Sequence, residues 1–242
     1  MFEYSKTDLI VLFPSLALFI LISIALRFIL KNKSEKVKNI PFIIISAILV
    51  ILEIIKQIIN FTSEEINLFS LPFHYCSLFV YFFPLAHFTT GKVKDFFTPV
   101  AFITALAMSI VFYFCPRGII GDSTNLMFEE FLPFHSVTFH LLVIFYTILY
   151  IALNLYTPTK KGTLNLIITM LIYCAIAIPL AHILQTNYCN FLECTVPIVA
   201  NLQLTIGMFW YTIIMVIIIG LGPALLNVIY LAIYNLLNKK NN

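Results

Sequence analysis

Seven long apolar runs separated by short polar connections leave this chain little choice of fold. They cover roughly 8–30, 40–61, 70–90, 96–115, 131–156, 163–185 and 203–236. Each reaches the ~20 residues that a helix needs to cross a ~30 Å hydrocarbon core. Lipid offers no partner to a backbone N–H or C=O, so an open spanning segment has to be helical. The expected class is all-α: a polytopic membrane helix bundle of about seven transmembrane helices, forming a single transmembrane domain over residues 1–242 of a multi-pass protein of the cell membrane. Mean hydropathy of +1.01 and 10% charged residues agree, since soluble domains carry about 25%. Gly220, Gly222 and Pro223 interrupt the last run and predict a kink there. The start, MFEYSKTDLI, has neither a basic n-region nor a small-residue cleavage site, so the first run is expected to stay as a span.

Charge in the connections orients the bundle. Arg27, Lys31, Lys33, Lys36 and Lys38 follow the first run, Lys92 and Lys94 the third, Lys160 and Lys161 the fifth, Lys239 and Lys240 the seventh. Basic residues on alternate connections mark the cytoplasmic side. The N-terminus is therefore expected outside and the C-terminus in the cytoplasm. The net charge of +3 sits in these short loops and gives no reason to expect nucleic acid. Seven glycines without a phosphate-loop pattern argue against nucleotide binding.

On that orientation, titratable groups gather at the outer ends of several spans: His74 and Cys76 in LPFHYC, His135 and His140 in LPFHSVTFH, and His182 with Asn187 in HILQTNY. Such groups are costly in hydrocarbon, so a converging set marks a functional site. Glu53 and Lys56, three apart in the second run, are expected to form a structural ion pair. LPFH occurs at 71–74 and 132–135; proline in a first helical turn would put each histidine at a helix start that favours anions. Ser136 and His140, four apart, share a helix face. Cys76 near a helix start and imidazoles has the setting of a nucleophile, or simply that of a small buried hydrophobe. His87, at the other end of its span, reads as an interfacial histidine. The histidines lack metal-site spacing and H-E-x-x-H, so no metal or other cofactor is expected. Cys189 and Cys194 flank NFLE in an outer loop; a disulfide and two free thiols are both open readings.

In order, LPFHYCSLFVYFFPLA at 71–86, FHSVTFHLLVIFYTILY at 134–150, TNY at 186–188 and Trp210–Tyr211 after Gly207 resemble the YwaF-type family of bacterial integral membrane proteins. They also resemble its eukaryotic relatives, transmembrane acyltransferases acting on ether phospholipids. Departures from the pattern include Leu141 after the later histidine, where glycine is common. The resemblance implies membrane lipids as partners, Cys76 as an acyl-accepting nucleophile and His140 as its base. It implies phosphate or oxyanion binding by His74, Asn187 and Tyr188, to which the clustering of titratable groups adds His135 and His182 as expected substrate-binding residues. Transfer to a lysophospholipid and hydrolysis are both compatible with it. The non-enzymatic alternative is a small-molecule transporter or a ligand-binding accessory membrane protein. Protein partners are left open.

Overall fold

The computed structural model describes residues 4–193 and 197–239, without the side chains of residues 197–200, 202 and 239. Among the described residues every regular element is helical. In chain order these are α1 (Lys6–Leu30), α2 (Glu35–Thr62), α3 (Phe79–His87), α4 (Gly91–Phe114), the single turns α5 (Arg117–Ile120) and α6 (Ser123–Leu126), α7 (Phe131–Ala152), α8 (Lys160–Leu184), α9 (Pro197–Met215) and α10 (Gly222–Lys239). Six stretches are long and apolar enough to cross a membrane: α1, α2, α4, α7, α8 and the run Gln203–Asn238 through α9 and α10. The chain is a multi-pass membrane protein.

The third expected span departs from the sequence pattern. Only Cys76–His87 is an apolar helical stretch, about 18 Å long at 1.5 Å per residue against a core of about 30 Å. Residues before it run as irregular chain, with one 3-10 turn at Leu68–Ser70 and a second at Cys76–Leu78 leading into α3. Pro72 has no N–H to give a helix, and the carbonyls around it are taken by side chains of other elements. His74 therefore does not sit at a helix N-terminus. The second LPFH departs less: α7 begins at Phe131, so Pro133 is its third residue and His135 its fifth, one residue past the Phe134 N–H that already bonds Glu130.

The last run bends where glycine and proline predicted. A π-helical turn, Val216–Leu221, joins α9 to α10. Gly220 lies in it against α8, where an added Cβ would stand 3.2 Å from Leu171 Cδ2. A further bend at Gly207 (φ 78°, ψ 166°) is unheralded by the apolar pattern.

Helix α7 is the most deeply buried span and α1 the least. Helix α7 packs on α1, α2 and α4, α3 lies between α2 and α4, and α8 between α4 and α10. Aromatic rings fill the centre: Phe83 stacks on Tyr146 at 3.8 Å, and Phe42 on His87 at 5.1 Å. His87 is thus a core residue, 5% exposed, and not interfacial. Its Nδ1 pairs with Asn39 Oδ1 (2.6 Å), its Nε2 with Tyr146 hydroxyl (2.8 Å), and Asn39 Nδ2 donates to its carbonyl (2.9 Å). Each of its polar groups has found a partner inside apolar surroundings, as burial requires.

A second polar knot fastens α10. Buried Asn227 accepts from Tyr156 hydroxyl (2.5 Å) and donates to the Thr159 carbonyl (3.2 Å) and Thr163 Oγ1 (2.8 Å). Asn227→Leu strips a partner from three groups at once. It should lower stability by about 1–2 kcal/mol, since interhelical hydrogen bonds in membranes are worth less than the full cost of an unpaired buried group. Thermal unfolding in detergent checks this; an unchanged midpoint would show the knot to be idle.

Candidate functional site

At the lysine-poor end of the bundle, side chains substitute for the helix that residues 67–75 do not form. Gln57 Nε2 donates to the Ser70 carbonyl (2.8 Å), Tyr188 hydroxyl to Leu68 (2.6 Å) and Tyr173 hydroxyl to Phe73 (2.8 Å). His74 Nε2–H donates to the Phe69 carbonyl (3.0 Å). The N–H of Tyr75 donates to Cys189 Sγ (2.8 Å), and that of Phe69 to Asn67 Oδ1 (3.0 Å). The strand of chain carrying His74 and Cys76 is thereby held open yet satisfied.

Behind it lies a charged centre on α2. Glu53 is 5% exposed. Its Oε1 accepts from Lys56 Nζ (2.8 Å) and Gln57 Nε2 (2.7 Å). Its Oε2 faces His135 Nε2 across 3.5 Å, beyond a good hydrogen bond. The expected ion pair is present, and it extends to a histidine of α7.

His140 is 4% exposed, with the Phe112 ring stacked on it at 5.7 Å. Its Nδ1 meets the Ser136 backbone carbonyl at 2.6 Å. A carbonyl only accepts, so Nδ1 carries the proton and Nε2 holds the free lone pair. That Nε2 is buried and has no hydrogen-bond partner, as is also true of Glu53 Oε2, Gln57 Oε1 and His135 Nε2. His140 thus bonds the backbone of Ser136 and not its hydroxyl, which removes a Ser–His pair. Ion contacts and hydrogen bonds thus join Glu53, Lys56, Gln57 and His135, and Gln57 fastens that centre to the Ser70 carbonyl of the segment leading to His74 and Cys76. Among the described residues no hydrogen bond joins the Cys76 thiol to an imidazole.

Two apolar clefts flank α3. One, of about 400 Å³, lies between α2 and α3, with the apolar parts of Glu53 and Gln57 in its wall beside Val50 and Val80. The other, of about 380 Å³, runs between α3 and α8 from Phe73 and Tyr173 to Leu85 and Ile176. A third cavity, of about 620 Å³ and polar, opens at the lysine-poor end, with Asn67, Gln185 and Asn187 in its wall.

The other expected site residues are placed differently. His182 is exposed, and only its carbonyl is engaged, by Gln185 (2.6 Å). Asn187 folds its own loop, accepting from Leu192 N (3.1 Å) and donating to the Glu193 carbonyl (2.8 Å). Tyr188 is fully buried and sets its ring edge-on to His74 at 5.2 Å. Gln57, Tyr173 and Cys189 were not singled out by the sequence as parts of this site; isolated polar residues in an apolar run were the only signal.

Cys189 is a free thiol, and Cys194 lies outside the described residues. Tyr173 gives its hydroxyl proton to Phe73, so the contact of its oxygen with Cys189 Sγ (2.6 Å) is made by the thiol's own proton. Burial pushes that thiol up to about 12 from an ordinary 9.0. Folding favours the protonated thiol, so its contribution is lost as pH rises from about 9 towards 12. Iodoacetamide at pH 8 should leave Cys189 unlabelled in folded protein and label it after denaturation; rapid labelling of the folded form would contradict the geometry.

Comparison with curated proteins and with solved structures gives no match. A family model, that of the TMEM164 family, matches residues 2–241, nearly the whole chain. The chain belongs to the TMEM164 family.

Proposed function

We propose that the chain is an intramembrane acyltransferase that moves an acyl group between phospholipid and lysophospholipid through a thioester on Cys76. The observation that supports this reading is the free, buried Nε2 of His140, held in its basic tautomer by the Ser136 carbonyl. The resemblance of the His74–Cys76 and His140 segments to ether-phospholipid acyltransferases points the same way.

His140 Nε2 takes the Cys76 proton, directly or through one water, and the sulfur attacks the ester carbonyl carbon. Apo geometry at such a pair is commonly longer than in the complex. The tetrahedral oxyanion draws on nearby positive charge, for which Lys56 is placed. Collapse breaks the C–O ester bond; the lysophospholipid oxygen leaves with the proton from His140, and the acyl group stays on sulfur. In the second half the hydroxyl of a lysophospholipid gives its proton to His140 and attacks the thioester, and Cys76 recovers the proton. Glu53 positions Lys56 and faces His135. The cleft between α3 and α8 is apolar along its length and suits an acyl chain, while the polar cavity beyond Phe69 suits a headgroup.

Intact-mass measurement of protein purified with native lipid tests this. Wild type should carry a fatty-acyl adduct that hydroxylamine removes, and Cys76→Ala should carry none. His140→Gln should slow adduct formation roughly 10²–10⁴-fold, the span of general-base contributions. A wild type that never acquires an adduct from supplied phospholipids would sink the covalent mechanism. An adduct that only water discharges would turn the reading to a hydrolase.

A further inference from the structure

We propose that the lysine-rich end of the bundle carries a second binding site, for the phosphate of an anionic phospholipid headgroup. A cavity of about 370 Å³ opens where α2, α4 and α8 begin and α3 and α7 end. Each beginning helix lends it a first-turn lysine: Lys38 is the fourth residue of α2, Lys94 the fourth of α4 and Lys161 the second of α8.

Helix starts are the positive ends of their dipoles, each worth about half a charge, and acids are the residues normally stabilised there. Here three starts and three lysines converge, so positive charge is set against positive charge. Glu35 and Asp95 also line the cavity, yet they offset it only in part. Glu35 engages Lys38 at 3.0 Å with a side chain 76% exposed, and Asp95 is exposed; both act from solvated positions at the mouth. His87, at the floor, already spends both ring nitrogens on Asn39 and Tyr146. What faces the space is a surplus of positive charge that Glu35 and Asp95 offset only in part, and an anion relieves it.

The topology rule alone does not give this arrangement. It asks for basic residues somewhere in each cytoplasmic connection, and Lys33, Lys36, Lys92 and Lys160 meet that demand. It does not ask that one lysine from each of three connections share a cavity. Basic pockets between helix ends on the cytoplasmic side are where anionic headgroups bind. Lipid as the source is favoured by a second cavity of about 530 Å³, which shares Lys38 as a wall. That cavity adds Arg27 and Lys31, with Ile24 and Phe28 beside them. Phe28 is 76% exposed on α1, a surface for the chain of a lipid whose headgroup sits among the lysines. The site stands at the opposite end of the bundle from Cys76 and does not depend on the acyltransferase reading.

The test uses full-length protein in nanodiscs of phosphatidylcholine containing phosphatidic acid, with retained lipid counted by native mass spectrometry. Wild type and the control Lys33→Gln/Lys36→Gln should retain phosphatidic acid over phosphatidylcholine. Lys94→Gln/Lys161→Gln should lose that preference by roughly tenfold or more, given the weight of each basic residue near an anionic surface. Lys94→Arg/Lys161→Arg should keep it. In a second arm, inorganic phosphate is titrated into protein in neutral detergent. Stabilisation of wild type but not of Lys94→Gln/Lys161→Gln, without any lipid preference, would keep the phosphate site and assign it to a soluble ligand. Equal lipid retention by the two Gln pairs, with no phosphate effect on either, overturns the proposal.

Discussion

The structure depends on one rule of the bilayer: a backbone group that leaves the helical ladder inside the membrane must find another partner within the protein. Residues 67–75 leave that ladder. Their carbonyls are met one by one by Gln57, Tyr188, His74 and Tyr173, and the Tyr75 N–H by Cys189. Apart from His74, which lies in the segment itself, these partners come from α2, α8 and the loop after α8, so opening the third span ties three other parts of the chain to it. The gain is positional. Cys76 is set where irregular chain turns into α3, one turn from the segment that Gln57 and Tyr173 hold.

The polar groups of the cluster divide into two kinds. Tyr173, Tyr188, Cys189 and Asn187 are spent on structure, with their hydrogen-bonding capacity used on backbone or on one another. Glu53 Oε2, Gln57 Oε1, His135 Nε2 and His140 Nε2 are buried and unspent. Buried polar atoms without partners are rare in proteins and call for a reason. Two of them, Glu53 Oε2 and His135 Nε2, face each other across 3.5 Å, which leaves His140 Nε2 and Gln57 Oε1 without an opposite number. His87 shows the contrast: an equally buried histidine, at the other end, with both nitrogens engaged.

Much of the fold was legible in the apolar runs, because a spanning helix needs little beyond length and hydropathy. The runs at 8–30, 40–61, 96–115, 131–156 and 163–185 correspond to α1, α2, α4, α7 and α8 within a few residues at most ends, and the Gly220–Pro223 break falls at a π-helical turn. The unwinding before Cys76 was not legible. Hydropathy continues across Leu71, Phe73 and Tyr75, and the partners that make an open chain tolerable lie up to 120 residues away in sequence. Within the site, depth was readable from span orientation, which brought His74, Cys76, His135 and His140 together with Glu53 and Lys56. Direction was not: His182 shares that end of the bundle but faces outward, because rotation of α8 is set by packing that a single run of apolar residues does not encode. The sense of Cys189 was equally hidden, since a loop cysteine near another reads as a disulfide partner until its sulfur is seen between Tyr75 and Tyr173.

The central claim is that His140 presents a free Nε2 lone pair inside the bundle. Nitrogen-15 NMR of imidazole-labelled protein in lipid, assigned with His140→Gln, measures this directly. The account predicts a proton on Nδ1 of His140 and none on Nε2, with Nε2 gaining a hydrogen-bond partner when a phospholipid analogue is added. A proton resident on Nε2 in the free protein would contradict it, since that nitrogen could then no longer act as the base for Cys76.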